Sequence, residues 1–229
     1  MAMRPAAYTM REVEVKLRVA DVGSLISRLR RLGARSLGRV FERNDIYDTP
    51  GGDFRRRGRL LRLRAETPAA SRFSQGGKRR HILTFKAPFK ELPAQPHVLS
   101  RYKERLEREV ILETCSLPSH RPGPCGMSRL SASLQGIGLW PSFRYEKYRT
   151  LFQLANLRIA LDETPVGSFL ELEGPPRAID KAARALGFRP CQYIRGTYWD
   201  LYATDCRRRG QKPMNMVFGR VRGISFETT

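Results

Sequence analysis

Residues 11–18 place carboxylates and cations together on one face of a predicted β-strand. The charged positions are Glu12, Glu14, Lys16 and Arg18, and an apolar residue follows each of them. Side chains of a strand point alternately to its two faces, so these charged groups share a face. Carboxylate oxygens suit hard divalent cations such as Mg²⁺, and Lys and Arg suit phosphate oxygens. A strand that offers both favours binding of a metal-bound polyphosphate.

Several later segments repeat this division into a charged face and an apolar face. Alternation predicts strands within residues 60–64, 81–86, 101–113, 143–154, 156–163 and 168–173, and residues 36–47 are also predicted to be extended. The charged residues on these faces include Arg62 and Arg64, Lys86, Arg105, Glu107 and Glu109, Lys147 and Arg149, Asp162, and Glu171 and Glu173. A single alternating strand is typical of any surface sheet, but the recurrence favours one common charged surface.

Helical spacing predicts apolar stripes at residues 22–32, 127–137 and 176–186, and a short aromatic helix near residue 198. These stripes need a surface to cover. We therefore predict an α+β fold in which about eight antiparallel strands close into a barrel, with helices packed outside and the charged faces lining a tunnel. Small barrels normally fill their interior with side chains. Burying charges costs several kcal/mol per ion. The arrangement is tolerable if the tunnel stays hydrated, or if a metal and an anionic ligand complete the pairing.

The composition predicts a globular protein with a polyanionic partner. Hydrophobic residues make up 41% of the 229 residues, which is enough for a core. The chain has 43 Lys and Arg against 22 Asp and Glu, a formal net charge of +21. Such a balance is typical of proteins that bind nucleic acid, a phosphorylated small molecule or an anionic membrane surface. Charge alone does not choose among these three classes.

The cysteines, histidines and apolar runs argue against other classes. The four cysteines are Cys115, Cys125, Cys191 and Cys206, and none has the C-x-x-C spacing of a zinc ribbon or thioredoxin-like motif. The histidines, His81, His97 and His120, are scattered without ligand spacing. No run approaches the roughly 20 apolar residues that span a bilayer, and the first ten residues lack a signal-peptide core. We predict a cytoplasmic protein with reduced thiols and no membrane partner.

The ordered set of motifs resembles the CYTH superfamily, also called triphosphate tunnel metalloenzymes. Residues 12–16 match its E-x-E-x-K signature, residues 47–49 its Y-D-T, residues 61–64 its L-R-x-R, residues 84–86 its strand-borne lysine and residues 105–109 its R-x-E-x-E. Residues 147–149, 161–162 and 171–173 follow in the expected order. Members of the superfamily include class IV adenylyl cyclases, thiamine triphosphatases and inorganic tripolyphosphatases.

The resemblance implies a tunnel domain over residues 8–205, followed by a basic extension over residues 206–229. It implies that Mg²⁺ or Mn²⁺ binds to carboxylates in the tunnel. By position the metal-binding set is Glu12, Glu14, Glu107, Glu109, Asp162, Glu171 and Glu173. Within this set Asp162 would assist, and Glu107 and Glu109 would either orient the cations or bind a second metal. The phosphate-binding set is Lys16, Arg62, Arg64, Lys86, Arg105, Lys147 and Arg149.

The resemblance also implies catalytic roles. In hydrolytic members a carboxylate pair at the positions of Glu12 and Glu14 orients the attacking water, and a C-terminal lysine assists the leaving group. Arg195 stands near that lysine position. Because an arginine does not readily release a proton, Arg195 would stabilise charge and would be a poor general acid.

Three functions are compatible with the sequence. We favour hydrolysis of a triphosphate such as inorganic tripolyphosphate, ATP or thiamine triphosphate. A class IV adenylyl cyclase is the alternative, although no feature marks an adenine pocket. Noncatalytic binding of polyphosphate or RNA is the third. The paired carboxylates argue against it, because without metal they would repel phosphate.

Four aromatic residues are predicted to close one barrel end rather than to stack on a base: Tyr193, Tyr198, Trp199 and Tyr202. A monomer and a homodimer are both compatible.

Overall fold

Eight antiparallel strands form a closed barrel in the computed structural model, which describes residues 8–69, 79–88, 101–112 and 126–219. The strands are β1 (Tyr8–Val19), β2 (Arg35–Asp48), β3 (Leu60–Pro68), β4 (Arg80–Pro88), β5 (Lys103–Leu112), β6 (Trp140–Leu154), β7 (Leu157–Thr164) and β8 (Gly167–Glu173). The α-helices of the described chain are α1 (Val22–Arg31), α2 (Asp53–Arg56), α3 (Gly126–Gly136), α4 (Pro176–Ala185) and α5 (Tyr198–Arg208). The order around the barrel is β1-β5-β4-β3-β2-β6-β7-β8. The predicted α+β barrel is confirmed.

Strand β1 closes the barrel because it pairs with β5 through its first half and with β8 through its second half. Glu12 lies opposite Arg105 of β5, and Glu14 lies opposite Glu173 of β8. Directly opposed residues of antiparallel strands point to the same face. The register of β1 therefore brings the charged faces of three strands together inside the barrel.

The apolar faces of β1, β7 and β8 point outward and are covered by α1 and α4. Leu17 of β1, Ile159 of β7 and Leu172 of β8 are completely buried, as are Leu29 of α1 and Ile179 of α4. Each fully buried side chain of this size contributes about 1.5–3 kcal/mol relative to an exposed one. This outer core sets which face of each strand points inward.

A second apolar cluster lies across the barrel, beneath α2 and α3. Tyr47, Leu61 and Leu63 of β2 and β3 pack with Leu134 of α3. The Tyr47 hydroxyl also donates a hydrogen bond of 2.8 Å to the Ser131 hydroxyl of α3. The predicted helix at residues 127–137 is thus confirmed and holds the outer faces of β2 and β3.

The short helix α2 is formed by a segment that follows the predicted turn at residues 48–52. The Asp48 carboxylate accepts hydrogen bonds of 2.8–3.1 Å from the backbone N–H groups of Thr49, Phe54 and Arg55. Gly52 has a φ of 74°, a conformation that glycine adopts without the steric cost of a Cβ. Asp48 therefore shapes the connection between β2 and β3.

Helix α5 closes one end of the barrel. Tyr198 packs there with Phe143 and Phe169, and Trp199 and Tyr202 join the same cluster. The predicted aromatic plug is observed for these three residues of α5. Tyr193 differs, because it packs against the outer core near α4, where its hydroxyl donates to Asp180 at 2.9 Å.

Residues 206–219 are not the free tail that the sequence predicts. Helix α5 continues to Arg208, and the Met216 N–H and C=O then bond to backbone groups of Arg144 and Glu146 at 2.9 Å. The register of β7 begins only at Tyr148 of β6, so this stretch of the β6 edge is open to the C-terminal segment. The bounds 8–205 and 206–229 stay a prediction, and residues 220–229 lie outside the described chain.

Part of the loop predicted at residues 65–79 is a strand instead. Strand β3 continues to Pro68 and β4 begins at Arg80, while residues 70–78 lie outside the described chain. The predicted loop at 88–96 also falls almost wholly outside it, as do His97, His120, Cys115 and Cys125. Cys191 and Cys206 are free thiols. Within the described residues, no helix has the length and apolar character that crossing a membrane requires.

Candidate functional site

The barrel contains a cavity of about 780 Å³ whose wall is rich in charged side chains. The predicted site residues in that wall are Glu12, Glu14, Lys16, Arg62, Arg64, Lys86, Arg105, Glu107, Glu109, Lys147, Arg149, Glu171 and Glu173. Asp162 is completely buried beside this wall. Arg195 is exposed and is not part of the wall. The charged faces of the strands thus meet in one cavity, and Arg195 stays apart from it.

The wall made by β1, β4 and β5 carries alternating carboxylates and cations. Lys86 Nζ lies 2.5 Å from Glu12 Oε1 and 2.8 Å from Glu107 Oε1, so it bridges two strands. Arg105 lies 3.4 Å from Glu12 Oε2 and also 3.4 Å from Glu14 Oε1. Since antiparallel pairing puts β5 beside both β1 and β4, each cation of this wall reaches a carboxylate on a neighbouring strand.

The opposite wall, made by β2, β3 and β6, is built around one carboxylate. Glu42 is completely buried and lies 3.4 Å from Arg64, 3.4 Å from Lys147 and 3.5 Å from Arg149. Burial by itself would raise the pKa of the Glu42 carboxyl, but these three cations together with Arg62 hold it well below its usual range. Glu42 therefore remains ionised and neutralises part of a strongly cationic wall.

Asp162 of β7 holds two cations of β6 in position. Its carboxylate accepts a hydrogen bond of 2.9 Å from Lys147, two of 2.6–2.7 Å from Arg149, and one of 2.5 Å from the Tyr198 hydroxyl. Arg149 also pairs with Glu171, which lies 3.1 Å from Lys16. With both oxygens already accepting from buried donors, Asp162 acts in this arrangement as an orienting carboxylate.

Arg62 of β3 is held by three groups inside the barrel. Its guanidinium donates to the Thr84 hydroxyl at 3.1 Å, and to Glu109 and the Tyr145 hydroxyl at 3.4 Å. Thr84 also donates to Glu109 at 2.8 Å. These contacts fix the direction of the guanidinium and use one of the predicted metal-binding carboxylates to do so.

The carboxylates near β1 differ in their electrostatic state. Burial raises the pKa of the Glu173 carboxyl to about 7, and the negative charges of Glu12 and Glu107 add to this effect. Burial and Glu171 would also raise the pKa of Glu14. Three lysines outweigh them and lower the Glu14 pKa to about 2; they are Lys16, Lys103 and Lys86. Glu173 is therefore the carboxylate that lacks sufficient positive charge nearby.

A divalent cation would suit this part of the cavity by donor chemistry. Glu12 Oε2 is buried and accepts no hydrogen bond in the described chain, and Glu173 is crowded by Glu12 and Glu107. Hard divalent cations prefer such carboxylate oxygens. As the side chains stand, however, no three described Asp, Glu, His or Cys residues are grouped closely enough to hold a metal ion. Lysine and arginine side chains pair with these carboxylates instead.

Sequence reasoning missed several residues of the cavity. These are Glu42, Glu66, Lys103 and Arg158 in its wall. Tyr198, which was predicted to close the barrel, also lines the cavity. The signal for Glu42 was weak, because β2 carries charged residues on both faces. Glu66 fell in the segment predicted to be a loop. Lys103 and Arg158 lie on the charged faces of predicted strands, which was a usable signal for both.

The comparisons with known proteins identify the fold and then the family. The structure resembles a protein from Pyrococcus horikoshii OT3 with a TM-score of 0.63 and 21% identity, covering 85% of this chain and 99% of the other. It also resembles a proposed adenylate cyclase from Vibrio parahaemolyticus, with a TM-score of 0.61, 18% identity, and 83% and 96% coverage. A Hippeastrum protein, described as a proposed adenylyl cyclase with a dominant triphosphatase activity, matches with a TM-score of 0.50, 15% identity, and 88% and 97% coverage.

The sequence itself matches the model of the CYTH domain over residues 10–188. This chain therefore belongs to the CYTH domain family, as its motifs predicted. A search of curated proteins found no significant match.

Proposed function

We propose that the protein hydrolyses a triphosphate in the barrel cavity with the help of Mg²⁺ or Mn²⁺. The observation that supports this most is the placement of buried carboxylates and buried cations around one cavity of about 780 Å³. Phosphoryl transfer depends mainly on positioning and on stabilising charge at phosphate oxygens. A cavity with both kinds of group serves this purpose, whereas a purely cationic one would bind phosphate without a place for metal.

The proposed phosphate-binding residues are the cations of the two walls. They are Lys16, Arg62, Arg64, Lys86, Arg105, Lys147 and Arg149. Each has at least one carboxylate partner in the free protein. Binding of a triphosphate would exchange some of these contacts for phosphate oxygens, which accept strong hydrogen bonds from Lys and Arg.

The proposed metal-binding residues are Glu12, Glu14, Glu107 and Glu173. Bound metal would act as a Lewis acid on phosphoryl oxygens. We assign Glu109, Asp162 and Glu171 to orienting cations: Glu109 contacts Arg62, Asp162 contacts Lys147 and Arg149, and Glu171 contacts Lys16 and Arg149. Glu12 differs from them because its buried Oε2 accepts no hydrogen bond in the described chain. Glu14, whose pKa is lowered to about 2, is a weak base and would orient the attacking water rather than remove its proton. We assign Arg195 no catalytic contact, because it is exposed outside the cavity wall.

A substrate panel tests this proposal. Tripolyphosphate, ATP and thiamine triphosphate would each be incubated with Mg²⁺ or Mn²⁺, and the products separated. We expect metal-dependent release of orthophosphate, with the attacking water ending on the terminal phosphorus as the bridging P–O bond breaks. Cyclic AMP with pyrophosphate from ATP would instead establish the cyclase alternative. Turnover by Glu12→Gln with unchanged metal dependence would contradict the site assignment.

A second candidate function concerns the outer surface. Of the residues that the structure describes, twelve basic and ten acidic ones line the cavity, and 24 basic and nine acidic ones do not. Most of the net positive charge of the described residues therefore lies outside the cavity wall. This favours binding of a polyanion such as single-stranded RNA to the exterior. The affinity for RNA should fall steeply with salt and should be unchanged when tripolyphosphate saturates the cavity. If tripolyphosphate competes with the RNA, the RNA binds in the cavity instead.

A further inference from the structure

Lys86 is the ammonium group on which the carboxylates of the β1 wall converge. Its Nζ lies 2.5 Å from Glu12 Oε1 and 2.8 Å from Glu107 Oε1, and its side chain is almost completely buried. Within this wall it thus holds together carboxylates from two different strands, β1 and β5. The same oxygens are among those that the proposed function assigns to a divalent cation.

Lys86 and Arg105 together leave this group of carboxylates short of positive charge. Glu12 Oε2 is buried and lacks a hydrogen bond within the described chain, because Arg105 Nε stays 3.4 Å away in poor geometry. Glu173 adds a third carboxylate, crowded by Glu12 and Glu107. A divalent ion carries twice the charge of Lys86 and takes six or more oxygen ligands, so it would satisfy these oxygens better. Lys86 and the metal would then compete for Glu12 Oε1 and Glu107 Oε1.

Lys86 has another available partner when a triphosphate is present. A lysine is a compact charge on a flexible four-carbon stem, and its three donors can turn from a carboxylate to a phosphate oxygen. An arginine fork such as Arg105 is stiffer, and that residue is also tied to Glu14. The exchange of Lys86 from carboxylate to phosphate would free the oxygens that the metal needs. The same exchange read in reverse means that bound metal would release Lys86 for phosphate.

We propose that Lys86 is an exchangeable internal counter-cation that couples the binding of metal to the binding of triphosphate. The inference rests on the proposed function, because that function supplies the second ligand, the triphosphate. It makes each ligand raise the affinity of the other, by the same factor, because coupling free energies are reciprocal. Without triphosphate, Lys86 suppresses metal binding; without metal, the Glu12–Lys86–Glu107 bridge suppresses phosphate binding.

The test measures Mn²⁺ binding directly, by the electron paramagnetic resonance signal of free aqueous Mn²⁺. It uses the whole protein with and without a non-hydrolysable imido-bridged tripolyphosphate, after correction for Mn²⁺ bound to the analogue alone. For the wild type we expect the analogue to tighten Mn²⁺ binding at least tenfold, and Mn²⁺ to tighten analogue binding by the same factor. Coupling of less than threefold in the wild type would overturn the proposal, whatever happens to the variants.

Lys86→Met removes the ammonium at similar length and should bind Mn²⁺ without analogue about tenfold more tightly, with coupling reduced below threefold. Lys103→Met is the matched control. Lys103 lies 3.3 Å from Glu14 Oε1 on the same wall but touches neither Glu12 nor Glu107 in the described contacts, so coupling should survive. Equal effects of the two variants on Mn²⁺ binding and coupling would show a general charge effect and refute the role of Lys86. If the analogue fails to bind the wild type, the proposed function fails, while the Mn²⁺-only comparison still decides whether Lys86 competes with metal.

Discussion

Replacing Glu42 by Gln should destabilise the protein and at the same time increase its affinity for triphosphate. Glu42 is completely buried and faces Arg64, Lys147 and Arg149 within 3.5 Å. Removing one partner of a buried ion pair costs about 3–5 kcal/mol. All three cations keep other carboxylates, such as Asp162 for Lys147 at 2.9 Å, so we expect the lower end, about 3 kcal/mol. For a domain of this size that corresponds to a melting temperature lower by roughly 6–12 °C.

The same substitution leaves an additional positive charge on the wall. One unit charge acting on a phosphate charge roughly 8 Å away, at an effective dielectric constant of about 20, contributes about 2 kcal/mol. Metal-free tripolyphosphate should therefore bind roughly tenfold to thirtyfold more tightly to Glu42→Gln than to the wild type. Saturating tripolyphosphate should also raise the melting temperature of the variant by more than it raises that of the wild type.

Thermal unfolding and isothermal titration calorimetry measure the two effects. Glu163→Gln is the control, because Glu163 pairs at 2.8 Å with Arg39 in an ion pair where both side chains are at least one-third exposed. Such a pair contributes about 0–1 kcal/mol, so neither quantity should change appreciably. The reasoning is refuted if Glu42→Gln melts within 2 °C of the wild type and binds tripolyphosphate no more tightly.

Three further substitutions probe the plug, the C-terminal segment and a buried histidine. Tyr198→Phe removes the hydroxyl that donates to Asp162 at 2.5 Å. Urea unfolding should show that the free energy of unfolding falls by about 1.5–3 kcal/mol, which is typical of hydrogen bonds to charged groups. An unchanged midpoint would show that this contact does not stabilise the closed end of the barrel. Met216→Ala should cost about 2–5 kcal/mol in the same assay, because Met216 is only 1% exposed; a loss below 0.5 kcal/mol would show that this segment does not pack. Burial, with Arg79 and Arg43 nearby, lowers the pKa of His81. The contribution of His81 to the free energy of unfolding should therefore be fully present above pH 6.5 and be lost as the pH falls below it. His81→Asn should flatten that pH dependence, and parallel curves for the variant and the wild type would refute it.

The sequence predicted the charged, inward face of a strand well where that strand alternates cleanly. Between Glu12 and Val19 of β1, every second residue is charged and the others are apolar, so period two alone assigns Glu12 and Glu14 to one face. The apolar stripes of α1 and α4 then require the opposite face of β1 for their own burial. Local pattern and tertiary packing agree at these positions, which is why the barrel could be predicted from alternation.

The same reasoning failed where the pattern is locally ambiguous or the partner is distant in sequence. Strand β2 carries Glu42 and Asn44 on its inner face and Arg43 and Asp45 on the outer one, so charge does not mark a face. The segment around Met216 has no periodicity of its own. It is ordered by the open edge of β6, which exists only because β7 pairs with β6 from Tyr148 onward.

The near balance of charge in the cavity decides how a triphosphate would be held. In the free protein the cations of the walls have carboxylate partners, so the barrel folds without leaving isolated buried charges, which would each cost several kcal/mol. Binding is then an exchange of ion pairs, and its free energy is a difference between phosphate and carboxylate as partners. Carboxylates released from cations need new positive charge, which metal supplies. A site of this kind favours the triphosphate and the metal together over either alone. Lys86 takes part in that exchange because the two carboxylates it pairs with, Glu12 and Glu107, are both proposed metal ligands.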